Sequence, residues 1–451
     1  MNKTLFIWVT LICAGMGGVL YGYDIGVISG ALLFIKQSIA LTRSQTEIIV
    51  GAVLFGGLIG TLITGSLADR FGRRTMILVA CVVFAVGLLF ILTAKSFIAL
   101  LLARLLLGIG VGIIAVAVPL YLSETAPAKL RGRAVTLFQI FLTLGILLAY
   151  IVDKAFTGSG DWRSMFAMIY IPTGILFFSM IMLPETPRWL VVHRRLKHAA
   201  NVIRKIHGES RVEIEIEAIQ RCGQRTSSRW HTLFNKQYFP ALCLAVFIAV
   251  SNQLTGVNII LQYAPTVIQS AGMSSQATTM IATVGIGAVQ FVFTLIALSL
   301  IDVLGRKFLL CLGTLGLVLC DVYLAYVNHV YPTGYTLAVH SVYGLLAYIL
   351  FYGLGPGVVV WLVISESLPT KVRGKAISLC LFFNSLAAAL LSSVFLSVAH
   401  AIGMTATYSL FAFFTFLYFL SAYIFLHETK GQSLEAIQQR LERTALKEAV
   451  E

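Results

Sequence analysis

Long apolar runs separated by short polar loops extend along the whole chain. Each run is about 20 residues or longer, which is the length that an α-helix needs to cross the hydrocarbon core of a bilayer. The pattern predicts twelve membrane-spanning helices, at residues 5–30, 48–68, 75–94, 97–122, 134–152, 163–183, 239–270, 276–301, 307–330, 338–365, 375–400 and 404–426. The longest polar stretch, residues 184–236, separates the sixth predicted span from the seventh.

The composition indicates an integral membrane protein rather than a soluble one. Of the 451 residues, 58% are hydrophobic and 12% are charged, with a mean hydropathy of +0.90. A soluble domain of this size has too little interior to bury so much apolar surface. The expected fold class is therefore an all-α membrane protein.

The net charge of +14 would suit a nucleic-acid ligand, but the basic residues are not arranged for one. Most of the Lys and Arg residues lie in loops on the side of the membrane that the two termini share, which is the positive-inside pattern. Both termini are therefore expected in the cytoplasm, and nucleic acid is not an expected partner. The seven cysteines show no metal-ligand spacing, and no nucleotide motif or nucleophile–base set occurs, so neither a cofactor, a metal nor an enzymatic activity is expected.

Two motifs occur twice, once in each half of the chain. Residues Leu122–Gly132 are repeated as Ile364–Gly374, and Asp69–Arg74 are repeated as Asp302–Lys307. Each copy follows the corresponding predicted span of its half. The repetition predicts two homologous six-helix bundles, a plan in which transporters hold their substrate near the midplane between the halves.

The expected domain organisation follows from these repeats. It comprises a six-helix bundle at residues 1–187, an intracellular linker at 188–236, a second six-helix bundle at 237–427 and a cytoplasmic tail at 428–451. Apolar residues recur at helical spacing in the linker, which predicts short amphipathic helices under the bundle.

Several motifs resemble those of one transporter family. Residues Gly65–Arg74 resemble the signature loop of the major facilitator superfamily, and Pro184–Leu190 resemble the PESPR motif of its sugar porter subfamily. Residues His427–Gly431 resemble the PETKG motif, with His427 in place of the usual Pro. The resemblance covers essentially the whole chain and is to the bacterial proton-coupled symporters of galactose, glucose, xylose and arabinose. It implies the major facilitator fold and transport by alternating access.

Charged residues of these motifs lie where helix ends meet the cytosol. Opposite charges there are expected to form a gating network whose pairs break when the inner side opens. The predicted members are Asp69, Arg73, Glu124, Arg131, Glu185, Arg188, Asp302, Arg306, Glu366, Arg373 and Glu428.

Ionisable residues inside the spans are functional candidates, because the charged form is expensive in hydrocarbon. Asp24 in the first span and Arg104 in the fourth are natural partners, and a change in their separation would change the affinity of the carboxylate for a proton. In the proton-coupled sugar porters that the sequence resembles, the matching Asp is the proton site, whereas facilitative relatives tend to have Asn. Asp321 in the ninth span is a second intramembrane acid, without a matching family motif.

Neutral polar residues are expected to bind the sugar, because amides both donate and accept hydrogen bonds and an aromatic ring suits the C–H face. Gln253 and Asn258 are five residues apart, so a helix break near Gly256 would bring them closer. The resemblance implies a sugar site made of Gln139, Asn252, Gln253, Asn258, Gln290, Trp361 and Asn384. Ser385 stands where many relatives have Trp, which removes one aromatic surface.

The sequence therefore predicts a secondary active transporter for proton:monosaccharide symport, with a hexose such as glucose or galactose as the expected substrate. Three alternatives stay open: a facilitative uniporter, a symporter for a pentose or inositol, and a sensor that binds sugar without carrying it. The expected location is the bacterial inner membrane. The expected partners are sugar, proton and the lipid bilayer, and the protein is expected to function as a monomer.

Overall fold

The computed structural model describes residues 3–127, 130–224, 233–235, 238–368, 373–428 and 430, and these residues form helices and loops without a strand. The α-helices are α1 Lys3–Ser38, α2 Arg43–Phe71, α3 Arg73–Thr93, α4 Phe97–Thr125, α5 Arg131–Phe156, α6 Trp162–Ala167, α7 Tyr170–Met182, α8 Pro187–Val192, α9 Leu196–His207, α10 Val212–Gln224, α11 Phe239–Leu254, α12 Val257–Ser270, α13 Gln276–Leu304, α14 Arg306–Val330, α15 Tyr335–Leu354, α16 Pro356–Ser367, α17 Arg373–Ser392 and α18 Phe395–Phe425.

Twelve segments of the described residues are long and apolar enough to cross a membrane, which confirms the predicted number of spans. Three of these spans consist of two consecutive helices: α6 with α7, α11 with α12, and α15 with α16. The first span is longer than its sequence pattern indicated, because α1 continues to Ser38 rather than ending near residue 30.

The boundary between the last two spans differs from the prediction of 375–400 and 404–426. Helix α17 ends at Ser392 and α18 begins at Phe395. Gly403, with φ 83°, lies inside α18 as a kink. The turn after Ser392 lies within an apolar stretch and leaves no hydropathy signal, whereas the glycine at the kink resembles a helix end.

The chain divides into two compact units, Met1–Ser227 and Ser228–Glu451. In the N-terminal unit, α1 packs along α5 and α2 packs along α4. In the C-terminal unit, the corresponding helices α11 and α17 pack together, as do α13 and α15. Each unit thus pairs its first span with its fifth and its second span with its fourth, as expected for homologous six-helix bundles.

The short helices α8, α9 and α10 belong to the N-terminal unit. Helix α9 buries the apolar face that its periodicity predicted, including Ala199, Ile203 and Ile206. The Nζ atom of Lys205 lies 5.7 Å from the ring centroid of Phe6, so this basic side chain connects α9 with the start of α1. The predicted amphipathic helices of the linker are therefore present and pack against the bundle.

Glycines allow α1 and α5 to cross with their backbones in contact. A Cβ atom at Gly22 would lie 1.8 Å from the carbonyl oxygen of Leu142, and one at Gly145 would lie 2.3 Å from the carbonyl oxygen of Val19. Small residues at such crossings let helices associate closely inside a membrane, where hydrophobic burial contributes little to helix association. This crossing holds the part of α1 that carries Asp24.

The substitution Gly22→Ala is expected to destabilise the N-terminal unit by about 1–3 kcal/mol, because the added methyl group would overlap the α5 backbone. Thermal unfolding of the purified protein in detergent measures this effect. Gly174→Ala is the matched control, since a Cβ atom there would meet no heavy atom within 4 Å. A Gly22→Ala protein that melts together with the wild type would contradict the close crossing.

Candidate functional site

A buried ion pair joins the first and fourth spans of the N-terminal unit. Arg104 Nη1 lies 3.2 Å from Asp24 Oδ1, and the two side chains are 2% and 0% exposed. The guanidinium of Arg104 also lies over the ring of Phe166, 5.5 Å from its centroid. The structure therefore brings together the two residues that the sequence predicted as a proton-coupling pair.

This ion pair is only partly satisfied. The second carboxylate oxygen of Asp24, Oδ2, is buried and has no hydrogen-bond partner among the described residues, and the same is true of Arg104 Nε. Buried polar atoms in folded proteins are nearly always paired, so an unpaired carboxylate oxygen is an exception that needs a chemical reason. A proton on Oδ2 would remove the charge that makes this oxygen costly to bury.

Two further buried acids in the N-terminal unit were not found from the sequence. Asp153 on α5 is 0% exposed and accepts a hydrogen bond of 3.0 Å from the backbone N–H of Gly30, and Glu47 on α2 is 1% exposed. The predicted spans began at residue 48 and ended at residue 152, so both acids fell one residue outside them. Apolar residues beyond Asp153, such as Phe156, were the signal that the fifth span continues.

The seventh span is broken at Gly256, the position at which a break was expected to bring Gln253 and Asn258 closer. Helix α11 ends at Leu254, Gly256 has the left-handed conformation with φ 88°, and α12 starts at Val257. A Cβ atom at Gly256 would also lie 2.9 Å from the ring of Phe411, so only glycine fits. The hydroxyl of Tyr348 donates a 2.8 Å hydrogen bond to the carbonyl of Thr255, which satisfies a backbone group that the break exposes.

Three predicted sugar-binding amides meet beside this break, and we call Gln253, Asn258 and Asn384 the amide trio. Asn258 Nδ2 donates to Gln253 Oε1 at 2.5 Å, and Gln253 Nε2 donates to Asn384 Oδ1 at 2.9 Å. The break thus lets residues five positions apart in the seventh span contact each other, and α17 supplies the third amide. Together they form a row of donors and acceptors of the kind that sugar hydroxyls require.

The other predicted sugar-binding residues lie outside the amide trio. Asn252 and Gln290 are each 3% exposed, and their side-chain oxygens have no hydrogen-bond partner among the described residues. Trp361 on α16 is half-buried against the apolar core of the C-terminal unit. Gln139 is half-buried on α5 of the N-terminal unit.

The predicted gating charges form one cluster in each unit. The N-terminal charge cluster consists of Asp69, Arg73, Glu124 and Glu185. Arg73 Nη2 lies 2.8 Å from Asp69 Oδ1 and 3.1 Å from Glu124 Oε1, and the side chains of Arg73 and Glu124 are 9% and 6% exposed. Asp69 is 76% exposed, so its pair with Arg73 contributes less than the buried pair with Glu124.

Glu185 binds backbone rather than a basic side chain. Its carboxylate accepts hydrogen bonds of 3.1 Å from the N–H groups of Arg73 and Arg74 and one of 2.9 Å from that of Thr186. Gly72 precedes this helix with φ 101°, and a Cβ atom there would lie 2.2 Å from Glu185 Oε2. The glutamate therefore caps the N-terminus of α3, where a negative charge is favoured by the helix dipole.

The C-terminal charge cluster, Asp302, Arg306, Glu366 and Glu428, repeats this arrangement. Arg306 Nη1 lies 3.0 Å from Asp302 Oδ1, and Arg306 Nε lies 3.6 Å from Glu366 Oε1. Glu428 accepts hydrogen bonds of 3.0 and 3.1 Å from the N–H groups of Arg306 and Lys307 at the start of α14. Glu185 and Glu428 are thus equivalent caps, an equivalence that the two sequence repeats did not reveal.

Three predicted gating residues are outside these clusters. Arg188 is exposed, and none of the described ion pairs includes it. The side chains of Arg131 and Arg373 lie outside the described part of the chain, although the helices that start at these residues, α5 and α17, are described.

Comparisons with known proteins agree with this geometry. The family model described as "Sugar (and other) transporter" matches residues 10–441. The chain is 33% identical to the galactose-proton symporter of Escherichia coli K12 over 98% of this chain and 95% of that protein. It is 35% identical to the D-xylose transporter of Levilactobacillus brevis over 97% of this chain and 96% of that protein. The structure of the xylose transporter XylE from E. coli, in a partially occluded inward open conformation, matches with a TM-score of 0.81 and 26% identity over 95% of this chain and 99% of that chain.

The substitutions Glu185→Ala and Glu428→Ala are each expected to reduce stability by about 1–2 kcal/mol, because each leaves backbone donors at a helix start without their acceptor. Thermal unfolding in detergent measures both variants. Gln220→Ala, at an exposed glutamine of α10, is the control and should melt with the wild type. If only one of the two substitutions lowered the unfolding temperature, the equivalence of Glu185 and Glu428 would be wrong.

Proposed function

We propose that this chain, which belongs to the sugar (and other) transporter family, is a secondary active transporter that carries a monosaccharide together with a proton by alternating access. The family is one of transporters rather than of enzymes, and the twelve spans make the chain an integral multi-pass membrane protein. The matched relatives are named for proton-coupled galactose transport and for D-xylose transport, which supports a monosaccharide as the substrate.

The observation that carries the proposal is the buried pair of Asp24 and Arg104 with one carboxylate oxygen unpaired. A single 3.2 Å contact stabilises the carboxylate only while the guanidinium stays close. If a conformational change increases this distance, the neutral acid becomes the cheaper form, and Asp24 takes up a proton. Alternation between these two separations would load the proton on one side of the membrane and release it on the other.

The amide trio supplies the sugar-recognition chemistry in this proposal. Gln253 already uses both its donor and its acceptor within the trio, while the ends of the row at Asn258 and Asn384 keep hydrogen-bonding capacity for a ligand. The unpaired oxygens of Asn252 and Gln290 are further acceptors for sugar hydroxyls. Trp361 offers an aromatic face for the C–H side of the sugar. Gln139 is included in this proposal because the resemblance to the sugar porters implies it.

The two charge clusters are proposed to set the balance between conformational states. Each cluster joins helix ends within its own unit, through a basic residue that contacts two acids and through a glutamate cap. A network of partly buried pairs can bias states that differ by a few kcal/mol, which a single exposed pair cannot do. Arg131, Arg188 and Arg373 are included in this proposal because the sequence motifs contain them.

The cellular setting is part of the same proposal. The positive-inside pattern supports a position in a bacterial inner membrane with both termini in the cytoplasm. The lipid bilayer surrounds the spans, and the protein functions as a monomer in this proposal.

The substitution Asp24→Asn is expected to abolish concentrative sugar uptake while exchange of sugar across the membrane continues, because an amide cannot carry the proton. Proteoliposomes loaded with unlabelled sugar measure exchange, and an imposed pH gradient measures accumulation. Asp161→Asn is the matched control; hydrogen bonds from Ser164 hold the pKa of this exposed acid below its usual range, so it stays charged throughout the assay.

Sugar addition to de-energised cells should make the medium more alkaline for the wild type and should leave it unchanged for Asp24→Asn. Uptake without any pH change in the wild type would replace symport by facilitated diffusion. A competition panel of D-glucose, D-galactose, D-xylose, L-arabinose and myo-inositol then identifies the sugar. Binding without uptake of any of them would instead support a sensor.

The substitutions Gln253→Ala and Asn384→Ala are each expected to raise the KM for sugar about two- to tenfold, the effect of losing one or two neutral hydrogen bonds. In the double variant, the loss of binding free energy calculated from KM should be smaller than the sum of the losses in the two single variants, because both changes break the same contact. Gln220→Ala, at an exposed glutamine of α10, is the control. If the free-energy losses of the two single variants simply add up in the double variant, the two amides act independently, which would contradict a shared sugar contact.

A further inference from the structure

Another intramembrane acid, Asp321, lies in the C-terminal unit, with no cation beside it in the part of the chain that the structure describes. Asp321 on α14 is 0% exposed, and none of the ion pairs among the described residues includes it. Its Oδ2 atom lies 3.5 Å from the hydroxyl of Thr415 on α18, and its Oδ1 atom has no hydrogen-bond partner among the described residues. This environment is suited to the neutral acid, because an ionised carboxylate would be buried with one long hydrogen bond.

The groups that interact with Asp321 come from three helices. Helix α15 contributes Tyr348, α18 contributes Tyr408 and Thr415, and α14 itself contributes Cys320. Helices α13 and α16 also pack against α14, but they add no charged or titratable group to these interactions among the described residues. Among the described residues, Thr415 is the one of these groups whose hydroxyl is hydrogen-bonded to Asp321, and the hydroxyls of the two tyrosines are further donors that interact electrostatically with its charge.

Two of these groups connect the acid to the break in the seventh span. The Tyr348 hydroxyl is hydrogen-bonded to the carbonyl of Thr255, which lies between the ends of α11 and α12. Tyr408 packs edge-on against Phe411, with ring centroids 6.5 Å apart, and Phe411 in turn covers Gly256. The break that positions the amide trio is thus supported from the side on which Asp321 lies.

Resting on the proposed proton:sugar symport, we propose that Asp321 is a second proton-binding residue, which positions the break of the seventh span through Tyr348 and thereby sets the affinity for sugar. With the proton bound, Tyr348 donates to Thr255 and the amide trio is held together. When the proton leaves Asp321 for solvent, the carboxylate requires donors, and the Tyr348 side chain moves toward Asp321, so that its hydroxyl gives up the Thr255 carbonyl. The backbone at the break then loses its partner, and the trio separates.

The sign of the pH dependence follows from this competition. Sugar binds tightly while Asp321 is protonated, so affinity is highest at acidic pH and falls as pH rises. In the Asp321→Asn variant the side chain stays neutral, so the tight-binding arrangement persists at alkaline pH. In Tyr348→Phe the hydrogen bond to Thr255 is absent at every pH, so binding is weak and does not respond to Asp321.

The test measures binding of D-galactose and D-xylose by calorimetry on the purified full-length protein, from about pH 5.5 to about pH 8.5, the range in which a buried carboxylic acid titrates. Every variant is made in an Asp24→Asn background, so that Asp24 does not contribute. The parent should lose about tenfold in affinity across this range, a coupling of ordinary size between two sites. Asp321→Asn should bind sugar at every pH with the affinity that the parent has at the acidic end of the range. Asp161→Asn should show the same dependence of affinity on pH as the parent.

An Asp321→Asn profile that follows the parent overturns the proposal, and so does a parent profile that is flat. If Asp321→Asn fails to fold, Tyr348→Phe decides: weak, pH-independent binding supports the proposal, and the parent's pH profile overturns it. These outcomes are separate from the test of symport, which depends on proton-driven accumulation by the protein with Asp24 intact. A negative result for Asp321 can therefore be distinguished from a negative result for symport.

Discussion

Inside a bilayer, a polar group can be satisfied only by other groups of the protein, since water is absent from the hydrocarbon region. This constraint explains why the interruption of the seventh span is so fully supported. Gly256 provides the left-handed turn, and Tyr348 provides the donor for the freed carbonyl of Thr255. The same constraint makes each atom without a partner informative, above all the second oxygen of Asp24.

The two units solve one structural problem in the same way. A loop glycine with positive φ, Gly72 or Gly305, brings the chain into the start of a helix, and a distant glutamate, Glu185 or Glu428, accepts hydrogen bonds from the first N–H groups. Because the glutamates follow the last span of each unit, the cap joins the end of a bundle to its middle. The PESPR-like and PETKG-like motifs thus have the same physical role, although their sequences differ.

The sequence predicted the features that depend on local pattern and missed those that depend on packing. Apolar runs were enough for twelve spans, and Gly256 between two amides indicated where a break of the seventh span would bring Gln253 and Asn258 closer. The buried state of Asp153 was not predictable from hydropathy, since a carboxylate at a span's edge has the same pattern whether it faces water or Gly30 of a neighbouring helix. The contact between Gln253 and Asn384 joins residues distant in the chain, so only the fold reveals it.

In the two proposals, Asp24 and Asp321 control a buried proton in different ways. Asp24 has a cation, so the distance to Arg104 decides whether the carboxylate or the acid is stable, and a helix movement of a few ångströms changes the interaction strongly at low dielectric. Asp321 has no cation beside it in the part of the chain that the structure describes, and its hydrogen-bond partner there is the hydroxyl of Thr415, 3.5 Å away, which rotates without any helix movement. An acid of the first kind responds to a change of the whole bundle, whereas one of the second kind responds to a local exchange of hydrogen bonds. A transporter that must couple a large conformational change to the occupancy of a small sugar site has a use for both.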